Sequence, residues 1–250
     1  MWEMPLALPC VSHLPREYGL SRVCEPMSRF GELSARLHYE LVSSIAAPDA
    51  AVLDVGCGSG ERLYWYLPGG PARVIGLEKL FSEASVARQW IPVIVGDLAK
   101  TWSVASGAID VVSANQVIEH MTEPDMLATE AFRVLRPGGW AVVSTENLAA
   151  WCNIGALLLG QEPFSTNFSK RYFGVGNRFS RRRLKPITDV PHYSVPSLAA
   201  LRHLFELTGF SYRDAVGVHR VPAPQWIVRR LTRVDRLHSL YITLLFQKPR

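Results

Sequence analysis

The sequence predicts an α/β protein built on an open, mostly parallel, doubly wound sheet. Three observations carry this. Residues 51–60 read AVLDVGCGSG, an apolar run closed by Asp54 and followed by Gly56, Gly58 and Gly60 and a helical stretch. Two further apolar strands, 73–78 and 92–96, end in Glu78 and in Asp97-Leu98. Helical patterns alternate with these runs along the chain, which is the signature of parallel strands joined by crossover helices.

The elements follow in order. Residues 1–33 form an N-terminal arm, proline-bearing and weakly periodic over its first half, a tail or a lid. Leu37, Leu41, Val42 and Ile45 fall at helical spacing and predict a helix over 34–46, closed by Pro48-Asp49. The run at 51–53 reads as a strand buried on both faces. A helix over 61–67 is rich in aromatics and ends at the Pro-Gly-Gly-Pro turn of 68–71. A helical piece at 82–89 follows the second strand, with Ser82 as its cap and Glu83 in its first turn. A fourth strand spans 109–114. The next helix runs to about Leu135, with Leu127, Ala131 and Val134 inward, and Arg136-Pro137-Gly138-Gly139 closes it. A fifth strand spans 140–145.

Residues 148–194 make a connection longer than helix-to-strand links usually are, and such excursions carry function. It opens with a helix over 149–159. It continues with aromatics, glycines and the basic run Arg178 to Lys185. A helix over 195–208, capped by Ser194, a strand over 212–218, a basic helix over 222–234 and a strand over 239–246 complete the chain.

Three acids at consecutive strand ends describe a nucleoside pocket along the sheet edge. Glu78 lies about 20 residues past the glycines, the spacing that offers a carboxylate to a ribose diol. Asp97 can face an adenine amine, with Leu98 beside the ring. The dinucleotide fingerprint G-x-G-x-x-G fails, because Glu61 stands at its last position and opposes a pyrophosphate. Asp54 suits a cationic ligand, and S-adenosylmethionine has these features.

The ordered set VLDVGCGSG, GLEK, VGDL and FRVLRPGGWAVVSTEN resembles the class I S-adenosylmethionine-dependent methyltransferases, in particular small bacterial enzymes with a single methyltransferase domain. The resemblance covers 35–217. It implies a Rossmann-like, seven-stranded sheet, mostly parallel with one antiparallel strand and helices on both faces, over 34–250. It implies that Asp54, Gly56, Cys57, Gly58, Gly60, Glu78, Lys79, Asp97, Leu98, Asn115 and Gln116 hold the cofactor S-adenosylmethionine. It places the fourth strand's end beside the transferred methyl group. Glu146, Asn147, Tyr172 and Tyr193 are then candidate substrate contacts, and 148–194 a candidate acceptor lid. His192, just before a helix start, is the candidate base, and His120 of the Ile118-Glu119-His120 element is a second candidate; each also has a purely structural reading. Some quinone-type members hold a divalent metal with Glu-His and an earlier acid. Gln116 fills that earlier position, so no metal is expected.

Composition agrees. The 250 residues, 48% apolar, suffice for one large core, and the net charge of +5 with pI near 9.2 permits an acidic partner without demanding one. Cys10, Cys24, Cys57 and Cys152 lack CxxC pairing, which argues against zinc or a disulfide framework and predicts a cytoplasmic protein. No apolar run reaches membrane-spanning length and no basic leader opens the chain. The acceptor is expected to be a small molecule. Nucleic acid is disfavoured, since no RNA-binding module or N-P-P-Y motif is present. A homodimer is allowed. A noncatalytic cofactor-binding subunit is the competing reading.

Overall fold

The computed structural model describes residues 29–61, 73–180, 184–187, 190–219 and 234–250. Residues 1–28 of the arm expected over 1–33, the helix and turn over 62–71, Arg181 to Arg183 and most of the basic helix lie outside the described residues, while residues 29–33 open the first helix rather than belonging to an arm.

Strands β1 (Ala51–Val55), β2 (Arg73–Glu78), β3 (Val93–Val95), β4 (Ile109–Asn115), β5 (Leu135–Glu146), β6 (Ser211–Val218) and β7 (Tyr241–Gln247) form one sheet. Their order is β3-β2-β1-β4-β5-β7-β6. Only β7 runs antiparallel to its neighbours, as the sequence analysis expects. The side-chain period of two then sorts the apolar strands onto two faces. Val52, Val111 and Val142 pack with Tyr39 and Val42 of α1 (Arg29–Ile45) on one face. Leu53, Val55, Val112 and Val143 pack on the other, against Leu127 of α3 (Pro124–Val134) and Leu201 and Phe205 of α5 (Leu198–Leu207). Phe205 stacks on Phe246 at 4.5 Å. Full burial of each such valine or leucine contributes roughly 2 kcal/mol. Helix α2 (Phe81–Ala87) follows β2, and α4 (Trp151–Leu158) follows β5.

Three local expectations are corrected. Strand β5 begins at Leu135 rather than at Trp140, because the turn at Gly138 (φ +80°) is tied by its N–H to the Lys248 carbonyl at 3.0 Å. Ser82 lies inside α2 and does not cap it; the N-cap position is Leu80. The last helix starts at Leu198, capped by Ser197, whose Oγ accepts from the Ala200 N–H at 3.2 Å. Ser194 lies four residues ahead of the first helical residue, too early to cap it, and its N–H donates to the Glu119 carbonyl.

Asn147 is also corrected. Its side chain is fully buried, and its amide is taken up by the protein's own backbone. Nδ2 donates to the carbonyls of Leu237 and Ser239, each at 2.8 Å, and Oδ1 accepts from the Ala149 N–H at 3.0 Å. It is a joint between the end of β5 and the approach to β7. Asn147→Ala strands the buried Ser239 carbonyl and the part-buried Leu237 carbonyl, so a loss of about 2 kcal/mol is expected in urea unfolding at unchanged m.

Candidate active site

The bend after β1 is shaped by its glycines. Gly56 sits at φ +67°, and a Cβ there would lie 2.6 Å from Val117 Cγ2. Gly58, at φ +53°, has nothing within 4 Å of its would-be Cβ, so its backbone faces open space. That combination, a left-handed bend with an uncovered main chain, lets a ligand approach the backbone closely. The Glu78 carboxylate fixes the bend: Oε2 accepts from the Gly58 N–H and Oε1 from the Leu80 N–H, both at 2.9 Å. One strand over, Asp97 is paired with Lys79 at 3.4 Å. The Ala99 N–H and then the Lys79 ammonium hold its carboxyl below the usual range. Leu98 packs half-buried against the core. Burial, followed by the Asp54 and Glu78 charges, pushes the Cys57 thiol up, against thiolate formation.

Asp54 does not reach this edge. It shares the parity of Val52, so its side chain points to the α1 face. There it accepts from Ser113 Oγ at 2.6 Å and Tyr39 Oη at 3.2 Å, and it is 1% exposed. Because Ser113 donates to Asp54, its oxygen accepts from His38 Nε2–H at 2.8 Å. Burial lowers the His38 pKa to about 3, which keeps the ring neutral. The expected contact between Asp54 and a cation is thereby replaced by a polar tie between sheet and helix.

At the end of β4, Asn115 Oδ1 accepts from Ser144 Oγ at 2.7 Å. Gln116 follows at φ +56°, a conformation uncommon outside glycine. Its amide satisfies both neighbours with the nitrogen toward Glu119 Oε1 (3.0 Å) and the oxygen toward the Thr145 N–H (3.2 Å). The 3₁₀ turn Ile118–His120 then buries Glu119, whose Oε2 accepts from Thr145 Oγ1 at 2.8 Å.

The insertion meets this turn. The Tyr193 N–H donates to the Glu119 carbonyl at 2.7 Å, and His120 Nδ1–H donates to the Pro191 carbonyl at 3.3 Å. His192 Nδ1–H donates to the Ser165 carbonyl at 2.7 Å. A carbonyl only accepts, so in each neutral ring the lone pair lies on Nε2. The two rings meet edge to face at 4.8 Å, and one ligand-capable atom from each of Glu119, His120 and His192 lies within 4.8 Å of the others. The structure thus brings together the two histidines singled out in the sequence and adds Glu119 and Thr145. The Glu-His pair signalled the first of these; nothing in the sequence signalled Thr145. Tyr193 is exposed beside the cluster, with the Lys170 ammonium 5.5 Å over its ring. Tyr172 stands on the insertion's exposed surface, bridged to Pro186. Glu146, half-buried, ends β5. Beside the cluster lies a cavity of about 380 Å³, lined by Ile118, Leu148, Val195, Pro196, Leu201 and Leu204 among others.

Burial, opposed by the His192 charge, raises the Glu119 pKa from 4.5 to about 7. The folded chain therefore holds a proton that the unfolded chain has released across that window. The resulting stabilisation is complete below the unfolded value and is lost as pH rises through about 7. Glu119→Gln mimics the protonated form. It is expected to melt like the parent near pH ~5 and above it near pH ~8 in scanning calorimetry.

The pattern of a family described as "Methyltransferase domain" matches residues 27–215. A probable S-adenosylmethionine-dependent methyltransferase of Mycolicibacterium smegmatis is 31% identical over 172 residues, 67% of this chain and 54% of that protein. A ubiquinone biosynthesis O-methyltransferase of Thiobacillus denitrificans is 32% identical over 179 residues, 69% of this chain and 72% of that one. Several other relatives are matched over about half their length or less. Among solved structures, an S-adenosylmethionine-dependent methyltransferase from Thermotoga maritima superposes with TM-score 0.58 at 16% identity, covering 88% of this chain and 90% of that one.

Proposed function

Since the chain belongs to the class I S-adenosylmethionine-dependent methyltransferases, we propose that it methylates a hydroxyl group of a small molecule and that His192 receives the hydroxyl proton. The observation that carries this is the joining of His192, His120 and Glu119 at the end of β4, where the insertion touches the sheet.

The residues present fit the cofactor. The uncovered backbone at Gly58, the carboxylate of Glu78 and the Asp97-Leu98 pair offer a berth for an adenosyl group. Asn115 and Gln116 border its methionine end. When bound, S-adenosylmethionine supplies a methyl group already activated by its sulfonium. The chain's part is to align the acceptor, exclude water and remove a proton. His192 Nδ1–H is anchored on Ser165, so its Nε2 is the proton-accepting atom. Glu119, once ionised, stabilises the imidazolium that results. The cavity beside Ile118 and Val195 gives an apolar acceptor a wall, and Leu148 and Ser194, the two ends of the insertion, line it as well. The Thiobacillus relative is named for O-methylation in ubiquinone biosynthesis, which supports a small hydroxyl-bearing acceptor here. The free thiols of Cys57 and Cys152 support a cytosolic setting.

A second reading rests on the same cluster. Its one carboxylate and two imidazoles, with tautomers set by backbone carbonyls, also suit a divalent cation, which would then lower the acceptor's pKa in place of a base. One experiment tests both: transfer of a labelled methyl group from S-adenosylmethionine to phenols, hydroxy acids and cell extracts, with mass identification of products, before and after chelator treatment. Labelled O-methyl product that survives chelation supports the base. Loss restored by added metal supports the cation. No transfer to any hydroxyl overturns both.

A further inference from the structure

Residues 148–194 contain seven lysines and arginines against Glu162 and Asp189, a local excess of positive charge as large as the whole chain's +5. The same segment carries an aliphatic surface. Leu157, Leu158 and Leu159, at the C-terminal end of α4, are exposed, Leu158 by 82%. Helix α4 turns only part of its surface to the core, through Asn153 and Ala156. The loop of Arg178 and Phe179 is tied beside these leucines. The Arg178 N–H donates to Gln161 Oε1 at 3.1 Å, and Asn177 Nδ2 donates to the Glu162 carbonyl at 2.6 Å. Arg178 lies 4.8 Å over the exposed Phe179 ring. Phe168 is 80% exposed further along the segment.

We propose that this insertion seats the protein on an anionic lipid surface, with Leu157, Leu158, Leu159 and Phe179 entering the headgroup boundary and Arg178 and Lys185 facing lipid phosphates. Contiguous exposed aliphatic side chains gain by leaving water, and clustered cations gain from a negative surface; an anionic bilayer provides both at once. A single-stranded nucleic acid would satisfy the cations but offers nothing to three leucines, which lack the flat faces on which bases stack. A second copy meeting this face would bring the same excess of positive charge against itself. No described helix is long and apolar enough to cross a membrane, so the contact is peripheral.

The test is sedimentation of the full chain with vesicles of phosphatidylcholine alone, and of phosphatidylcholine with phosphatidylglycerol. Binding is expected only to the anionic vesicles and should fall at roughly 0.5 M salt. The triple change Leu157→Ser, Leu158→Ser, Leu159→Ser and the double change Arg178→Glu, Lys185→Glu should each weaken it at least about tenfold. Melting temperature and S-adenosylmethionine binding should stay at parental values, which shows that the variants fold. Equal binding to neutral vesicles, no binding, or binding indifferent to either variant overturns the proposal. So does RNA that displaces the protein from anionic vesicles and is held equally by the leucine variant.

Discussion

Glu78→Ala is expected to weaken S-adenosylmethionine binding on the order of a hundredfold, about 3 kcal/mol, in isothermal titration calorimetry. Two losses combine. The carboxylate no longer offers charged acceptors at the edge of the nucleoside groove. The Gly58 and Leu80 N–H groups, each held at 2.9 Å by one of its oxygens, lose their partner, and the bend itself loosens. Glu78→Gln keeps one acceptor oxygen and should lose about tenfold. Asp54→Asn makes an informative contrast. That side chain faces Ser113 and Tyr39, so its replacement should lower the melting temperature more than it lowers cofactor affinity. Unchanged affinity in Glu78→Ala would place the adenosyl group elsewhere.

His192→Ala is expected to lower kcat for a hydroxyl acceptor about 10²- to 10³-fold with little change in KM, since the proton loses its recipient while the binding walls remain. An acceptor already ionised at the assay pH should react with the variant nearly as fast as with the parent. The pH profile adds a second readout. Burial pushes the Glu119 carboxyl up to about 7, and once ionised it sets a negative charge beside the two rings, where it offsets the positive charge of a protonated imidazole. The parental rate should therefore climb through that region. In Glu119→Gln the step at that pH should vanish and leave a flatter profile. Equal loss for ionised and neutral acceptors would mean that His192 only shapes the wall.

The sheet was legible because its strands are local facts. The apolar run before Gly56, and the acids at Glu78 and Asp97, lie within each element and depend on no distant partner. What the sequence hid depends on partners far along the chain. Asn147 reads as a polar residue at a ligand-facing strand end, yet carbonyls 90 and 92 residues later claim its amide. Ser194 reads as a cap because Pro196 follows it. The Glu119 carbonyl draws that segment toward the sheet, and the cap passes to Ser197. Asp54 reads as ligand-facing from its place before the glycines, but strand alternation aims it at α1. Glu119 and His192 are 73 positions apart in the sequence, and only the docking of the insertion makes them neighbours.

Strand β7 lies between β5 and β6 and hydrogen-bonds to both. During synthesis, then, residues 211–218 leave the ribosome with no ladder to join, and β5 presents a bare edge. Both wait for 241–247 to emerge. Until that interval closes, two unpaired edges are open to pairing with other chains, the exposure that chaperones exist to cover.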